Sequence, residues 1–168
     1  MSFDPRDRVR TAGRHDVPQL TDLRIRYLGE MAKQEHRFAL LPDARQRTEH
    51  ALPVWLGQEE RMVLVAVGGE GGKDGPLVGY ATGQVSVWPP IFRTQHVGEV
   101  SECYVLPEER GKGHGKALLT RLTGVLLARG AKVLRAPVAA KDAASLARFR
   151  SQGYRTLQVV LQRSLEEV

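Results

Sequence analysis

The segment Val100-Ser101-Glu102-Cys103-Tyr104-Val105-Leu106-Pro107-Glu108-Glu109-Arg110-Gly111-Lys112-Gly113-His114-Gly115-Lys116-Ala117-Leu118 decides how this chain is read. A β-rich run stops at Pro107, three alternating glycines follow, and Leu118, Leu122, Val125 and Leu126 then fall on one helical stripe that Gly130 closes. The first turn of a helix carries N–H groups with no intrahelical partner and a partial positive charge, so an anion is its natural guest. Glycines let the backbone approach phosphate oxygens closely. Arg110, Lys112 and Lys116 add positive charge, and the segment predicts a pyrophosphate cradle.

Two common phosphate motifs do not fit. A Walker A loop requires a glycine where Arg110 stands and a hydroxyl where Ala117 stands. A dinucleotide fingerprint starting at Gly111 requires glycine at Lys116.

Working outward, Gly98–Val105 reads as a strand, and Tyr80–Val87 as another that stops at Trp88-Pro89-Pro90. Met62–Val67 and Leu77–Ala81 flank Gly68-Gly69-Glu70-Gly71-Gly72-Lys73-Asp74-Gly75-Pro76, which predicts an antiparallel hairpin. That glycine-rich loop ends in proline and enters a strand, favouring a flexible connector over a phosphate loop. Asp16 reads as the N-cap of a helix carrying Leu20, Leu23, Tyr27, Leu28 and Met31. A second helix starts at Asp43 and should bend or split at Pro53. Val133–Val138 reads as a strand, Asp142 caps a short helix ending at Gly153, and Leu157–Leu161 alternates into a last strand. The order β, α, α, β, β, β, α, β, α, β predicts an α/β fold, a mixed and mostly antiparallel sheet flanked by helices, rather than a doubly wound parallel one.

The length of 168 residues suits a single domain over 1–168. Composition, 42% hydrophobic and 26% charged, supports a packed core. No apolar run approaches the length of a membrane span, and Met1–Arg8 lacks the apolar core of a secretory signal; a cytoplasmic protein without membrane partners is expected. The net charge of +6 is spread along the chain with only 6% aromatics, which argues against a stacking surface for nucleic acid. One cysteine, Cys103, and five histidines without ligand spacing argue against a metal.

Arg110-x-x-Gly113-x-Gly115, between strand and helix, resembles the coenzyme A loop of the GNAT superfamily of N-acetyltransferases, whose pattern is Arg/Gln-x-x-Gly-x-Gly/Ala. Cys103–Glu108 is similar to the strand end where that family pairs backbone with pantetheine. Asp142-Ala143-Ala144-Ser145-Leu146-Ala147-Arg148-Phe149-Arg150-Ser151-Gln152-Gly153-Tyr154 resembles the family's Asn-x-x-Ala-x-x-Leu-Tyr-x-x-x-Gly-Phe segment, with Asp142, Ser145 and Phe149 departing from it.

The resemblance implies a three-layer fold whose central twisted sheet has splayed strands, with Pro137 falling where pairing ends. It implies acetyl-coenzyme A as co-substrate and a small-molecule or peptide amine as acceptor, attacked directly in a ternary complex; homodimers are common in the family. Arg110, Gly111, Lys112, Gly113, His114, Gly115 and Lys116 would hold the diphosphate, with the His114 ring exposed. Tyr104 and Val105 would align pantetheine, Val105 N–H would polarise the carbonyl, and Ser145 and Phe149 take up further coenzyme positions. Phe149 stands where the family often has a tyrosine that protonates the thiolate, so a non-catalytic acyl-coenzyme A binding or sensing domain is the alternative. The candidate bases are Glu99, which is favoured, and Glu102, with ordered water or another carboxylate as the alternative; strand alternation puts the two on opposite faces unless a bulge intervenes. Trp88 and Phe92 would either line an acceptor pocket or pack over the core.

Overall fold

Strands β2 (Arg61–Val67) and β3 (Leu77–Val87) pair antiparallel, as their apolar runs predict. The computed structural model describes residues 5–69 and 72–163; Glu70 and Gly71, inside the glycine-rich connector, lie outside the described residues. The chain divides into two compact units, Met1–Pro137 and Val138–Val168.

In the first unit, β1 (Val9–Thr11), β2, β3, β4 (His96–Val105) and β5 (Val133–Arg135) form one sheet in the order of the chain. The first three pairings are antiparallel and β4–β5 is parallel. Helices α1 (Val17–Gln34) and α2 (Ala44–Leu56) cover one face, where Leu20, Leu23 and Leu52 pack with Val63, Val65, Val67, Tyr80 and Tyr104. Helix α3 (His114–Ala128) covers the other, with Leu118, Leu119, Leu122 and Leu126 buried. Covering both faces explains why Val63–Val67 is buried without alternation, each large apolar side chain contributing about 1.5–3 kcal/mol. Gly83 lies under α3: a Cβ there would lie 2.7 Å from the Glu99 carbonyl oxygen and 3.2 Å from Leu122 Cδ2.

Thr82 pairs with Glu102 but Gly83 pairs with Val100, leaving Ser101 as an extra residue in β4. This bulge reverses the alternation. Glu99 lies opposite Gln84 and Glu102 opposite Thr82, and both partners share the face of Tyr80. The two carboxylates therefore stand on the same face, that of α1 and α2.

Several expectations are corrected. Asp16 precedes α1 but does not cap it: the carboxylate turns back to accept Gly13 N–H at 2.7 Å and the Arg10 guanidinium at 2.7 and 2.8 Å. Helix α2 is not split at Pro53 but runs on to Leu56, because a proline in the last turn removes one bond close to where the ladder ends anyway. The strand expected over Val133–Val138 stops at Arg135, two residues before Pro137.

In the second unit, α4 (Ala143–Ser151) begins behind Asp142, whose carboxylate accepts Ser145 N–H at 3.0 Å, a true side-chain cap. No strand forms over Leu157–Leu161; the side chains of Leu157, Val159, Val160 and Leu161 are exposed and no sheet pairing includes them. Among the described residues, no helix is long and apolar enough to cross a membrane.

Candidate active site

Strand β5 pairs with β4 only over Val97–Glu99. Beyond Glu99 the two strands part, and the C-terminal half of β4 keeps β3 on one side alone. Leu106 N–H donates to the Val78 carbonyl at 2.9 Å, which fixes the phase of the antiparallel ladder. Tyr104 and Leu106 thus direct their backbone groups to β3, while Cys103 and Val105 direct theirs toward the side that β5 has left. The Val105 N–H thus faces a notch with Glu99 at its fork, while the Val105 carbonyl accepts from Arg110.

The notch leads to the glycine loop. Gly111 and Gly113 adopt φ of +81° and +90°, left-handed values that a side chain would strain. Ala117 N–H donates to the Gly113 carbonyl, the first bond of α3, so the amides of His114, Gly115 and Lys116 are left over by the helix. Lys116 is exposed beside them. Lys112 donates to Glu109 at 3.0 Å, and that hydrogen bond holds the Glu109 carboxyl below its ordinary value. The His114 ring is buried, its side chain only 8% exposed, contrary to expectation. Its Nε2 lies 3.5 Å from Glu109, and Nδ1 has no hydrogen-bond partner among the described residues.

Arg110 is held on two sides. Its Nε donates to the Val105 carbonyl at 3.0 Å and its Nη2 to both Glu30 oxygens at 3.1 and 2.9 Å. The guanidinium lies 5.5 Å from the centroid of the Tyr104 ring, whose hydroxyl donates to Glu30 at 2.9 Å. Burial, then that hydrogen bond, pushes the Tyr104 phenol up to about 12. Beside this network lies a cleft of about 300 Å³ lined by Arg26, Gly29, Glu30, Lys33, Tyr104, Pro107 and Glu108.

The candidate bases sit in different surroundings. Glu102 receives Arg24 Nε at 3.3 and 3.2 Å, Arg24 Nη2 at 3.0 Å and the Tyr80 hydroxyl at 2.7 Å. Both its oxygens are occupied. Burial and this carboxylate together push the Tyr80 phenol well above its ordinary value. Glu99 receives Arg135 at 2.7 and 2.6 Å on Oε2 alone. Arg135 also lies 5.8 Å from the Trp88 ring centroid, and Trp88 meets Phe92 edge-on at 6.0 Å in the β3–β4 hairpin tip, where Phe92 is exposed.

In the second unit, Ser145 spends its N–H on the cap, and the Phe149 ring packs edge-on against Tyr154 at 5.0 Å. Cys103 is partly exposed. Among the described residues, no group of three or more His, Cys, Asp or Glu side chains could hold a metal.

Sequence reasoning missed Arg24, Glu30, Arg61 and Arg135. For the first two a signal existed: Arg24 and Glu30 fall on the stripe of α1 that carries Leu20, Leu23 and Tyr27, and a charge on a buried stripe asks for a partner.

Comparison with known proteins places this geometry. A family model described as "Acetyltransferase (GNAT) family" matches residues 20–154. An uncharacterized N-acetyltransferase of Archaeoglobus fulgidus is 40% identical over 60 residues, a match spanning 36% of this chain and 40% of that relative. A Bacillus halodurans protein solved as a tetramutant superposes with TM-score 0.79 at 16% identity over 94% of this chain and 99% of its own. The apo aminoglycoside 6'-N-acetyltransferase AAC(6')-IG of Acinetobacter haemolyticus superposes with TM-score 0.72 at 17% identity over 95% and 99%. AAC(6')-Iy, solved with the bisubstrate analog CoA-S-monomethyl-acetylneamine, gives TM-score 0.68 at 16% identity over 93% and 96%. The likeness to these structures is one of fold, and the family match covers well over half the residues: this chain belongs to the GNAT family of acetyltransferases.

Proposed function

We propose that this protein transfers the acetyl group of acetyl-coenzyme A to the amine of a small molecule or peptide, with the whole chain acting as one domain. The observation that carries this reading is the open edge of β4 beyond Glu99, running straight into the spare amides of His114, Gly115 and Lys116. A family match that continues from the first unit into the second supports the single domain. The coenzyme complex of AAC(6')-Iy, and its acetylated amine analogue, support the choice of co-substrate and acceptor class.

In this mechanism the amides of residues 114–116, with Gly111 and Gly113 permitting close approach, hold the diphosphate, and Lys112 and Lys116 add charge. Val105 faces the notch beside the thioester end of pantetheine, while the backbone of Tyr104 is paired with β3 and its ring borders the adjoining cleft. The acceptor nitrogen attacks the thioester carbonyl, and Glu99 accepts the amine proton on Oε1, the oxygen that Arg135 leaves open. The Val105 N–H stabilises the oxyanion. Collapse breaks the C–S bond, and coenzyme A leaves as thiolate; a thiol of pKa about 8.5 is a tolerable leaving group without an acid. That last point matters because Phe149 has no proton to give.

Phe149 also favours a second reading, a domain that binds acyl-coenzyme A without turning it over. Calorimetric titration with coenzyme A and a thiol-release assay separate the two. Binding with amine-dependent thiol release supports transfer, and binding without release across a broad amine panel supports sensing. Gly113→Asp should abolish binding, through both its positive φ and its charge, and Lys116→Glu should weaken it; unchanged affinity in both overturns the assigned loop.

A further inference from the structure

The α1 and α2 face of the sheet carries a row of four polar residues in register across four strands. Arg61 on β2 pairs with Gln84 on β3, Gln84 with Glu99 on β4, and Glu99 with Arg135 on β5. Arg61 lies on the helical side: its guanidinium is 4.4 Å from the Trp55 ring centroid on α2, and Arg24 of α1 is also 4.4 Å from that ring.

The charges on this face are nearly all spoken for. Glu102 is matched by Arg24, Glu99 by Arg135 and Glu30 by Arg110. Within these three pairs the charges balance. Arg61 is the exception: its contacts are the Gln58 side-chain oxygen at 3.1 Å and the Trp55 ring, and it has no carboxylate partner among the described residues. It stands two strands from Glu99, about 10 Å between backbones at ordinary strand spacing. A planar guanidinium held by an indole suits a carboxylate.

Resting on the transfer reading above, we infer that the acceptor is an amine that also bears a carboxylate several bonds away, with its nitrogen at Glu99 and its carboxylate at Arg61. A polyamine or aminoglycoside brings further cations to a site where Glu30, Glu99 and Glu102 are each already paired with an arginine. An amino acid with a terminal amine fits both ends of the row.

The test uses the full chain, acetyl-coenzyme A and three five-carbon amines that differ only at the far end: δ-aminovalerate (carboxylate), pentylamine (uncharged) and cadaverine (a second cation). Thiol release should give kcat/KM for aminovalerate at least about tenfold above the other two. Arg61→Gln should collapse the aminovalerate-to-pentylamine ratio toward one, and Arg61→Lys should restore part of it. Preference for cadaverine, a ratio untouched by Arg61→Gln, or no release with any of the three while coenzyme A still binds overturns the inference and leaves the transferase reading standing. Failure to bind coenzyme A in calorimetry instead overturns the transferase reading, and this inference with it.

Discussion

Arg110 is pinned to Glu30: the first residue of the glycine loop reaches α1 through two charge-assisted hydrogen bonds of 3.1 and 2.9 Å while its Nε holds the Val105 carbonyl. Both side chains are substantially exposed, so the pair alone contributes no more than about 1 kcal/mol to stability. Its effect is on geometry, because it ties the end of β4, the loop and α1 together. Glu30→Gln should raise the KM for acetyl-coenzyme A several-fold, about 3–10-fold, with kcat and the melting temperature little changed. Arg110→Gln, which also frees the Val105 carbonyl, should cost at least as much, and the double variant should be no worse than Arg110→Gln alone, since the Glu30 link is already lost there. Additive losses in steady-state kinetics would place the two residues in separate roles.

Glu99 and Glu102 share a face but should respond oppositely to substitution. Glu102 is fixed by Arg24 and Tyr80, and its side chain is 15% exposed. Glu102→Gln strands a mostly buried guanidinium and should cost about 2–4 kcal/mol in urea unfolding while sparing kcat. Among the described residues Glu99 is hydrogen-bonded on Oε2 and not on Oε1, and it stands where β4 and β5 part. Glu99→Gln should lower kcat about 100-fold or more with a modest loss of stability. Equal effects of the two on kcat would leave the base unassigned to Glu99.

This pair also marks what a sequence reader can and cannot see. Hydrophobic runs and punctuation revealed the β2–β3 hairpin, α3 and the loop, because burial on both faces and left-handed glycines are local demands. The bulge at Ser101 was invisible: an extra residue in one strand depends on its partner's register, and alternation alone puts Glu99 and Glu102 on opposite faces. Arg135 was unseen for the same reason, and although the buried stripe of α1 signals that Arg24 and Glu30 need partners, which partners they meet across elements is not legible. Leu157–Leu161 erred the other way, since β-favouring composition cannot supply the neighbouring edge a strand needs.

Gly83 should tolerate no side chain. A Cβ would meet the Glu99 carbonyl oxygen at 2.7 Å and two Leu122 methyl groups at 3.2 and 3.3 Å, and neither backbone nor packed helix yields cheaply. Gly83→Ala should destabilise by about 1–3 kcal/mol, seen as a lower urea midpoint at unchanged m. Because the clash bears on the residue at the notch's fork, kcat should fall as well. A neutral substitution would mean that β3 and β4 can part locally without cost.

Asp16 supplies a pH dependence whose sign can be worked out. It is buried, 1% exposed, and burial on its own raises the carboxyl pKa; the hydrogen bonds from Arg10 and Gly13 and the Arg10 charge outweigh it, leaving the folded value below the ordinary 3.8. With the folded pKa lower than the unfolded one, the unfolded chain binds the proton first as acid is added. The contribution is therefore complete above the ordinary carboxylate range and is lost as pH falls through 3.8 toward the folded value. Asp16→Asn should cost about 2–4 kcal/mol at neutral pH, since it leaves Arg10 without its charge partner in a largely buried site. The difference in unfolding free energy between wild type and variant should shrink below about pH 4 as the wild-type carboxylate is itself protonated. A difference that stays constant down to pH 2, or grows on acidification, would show that the Arg10–Asp16 pair carries no such linkage.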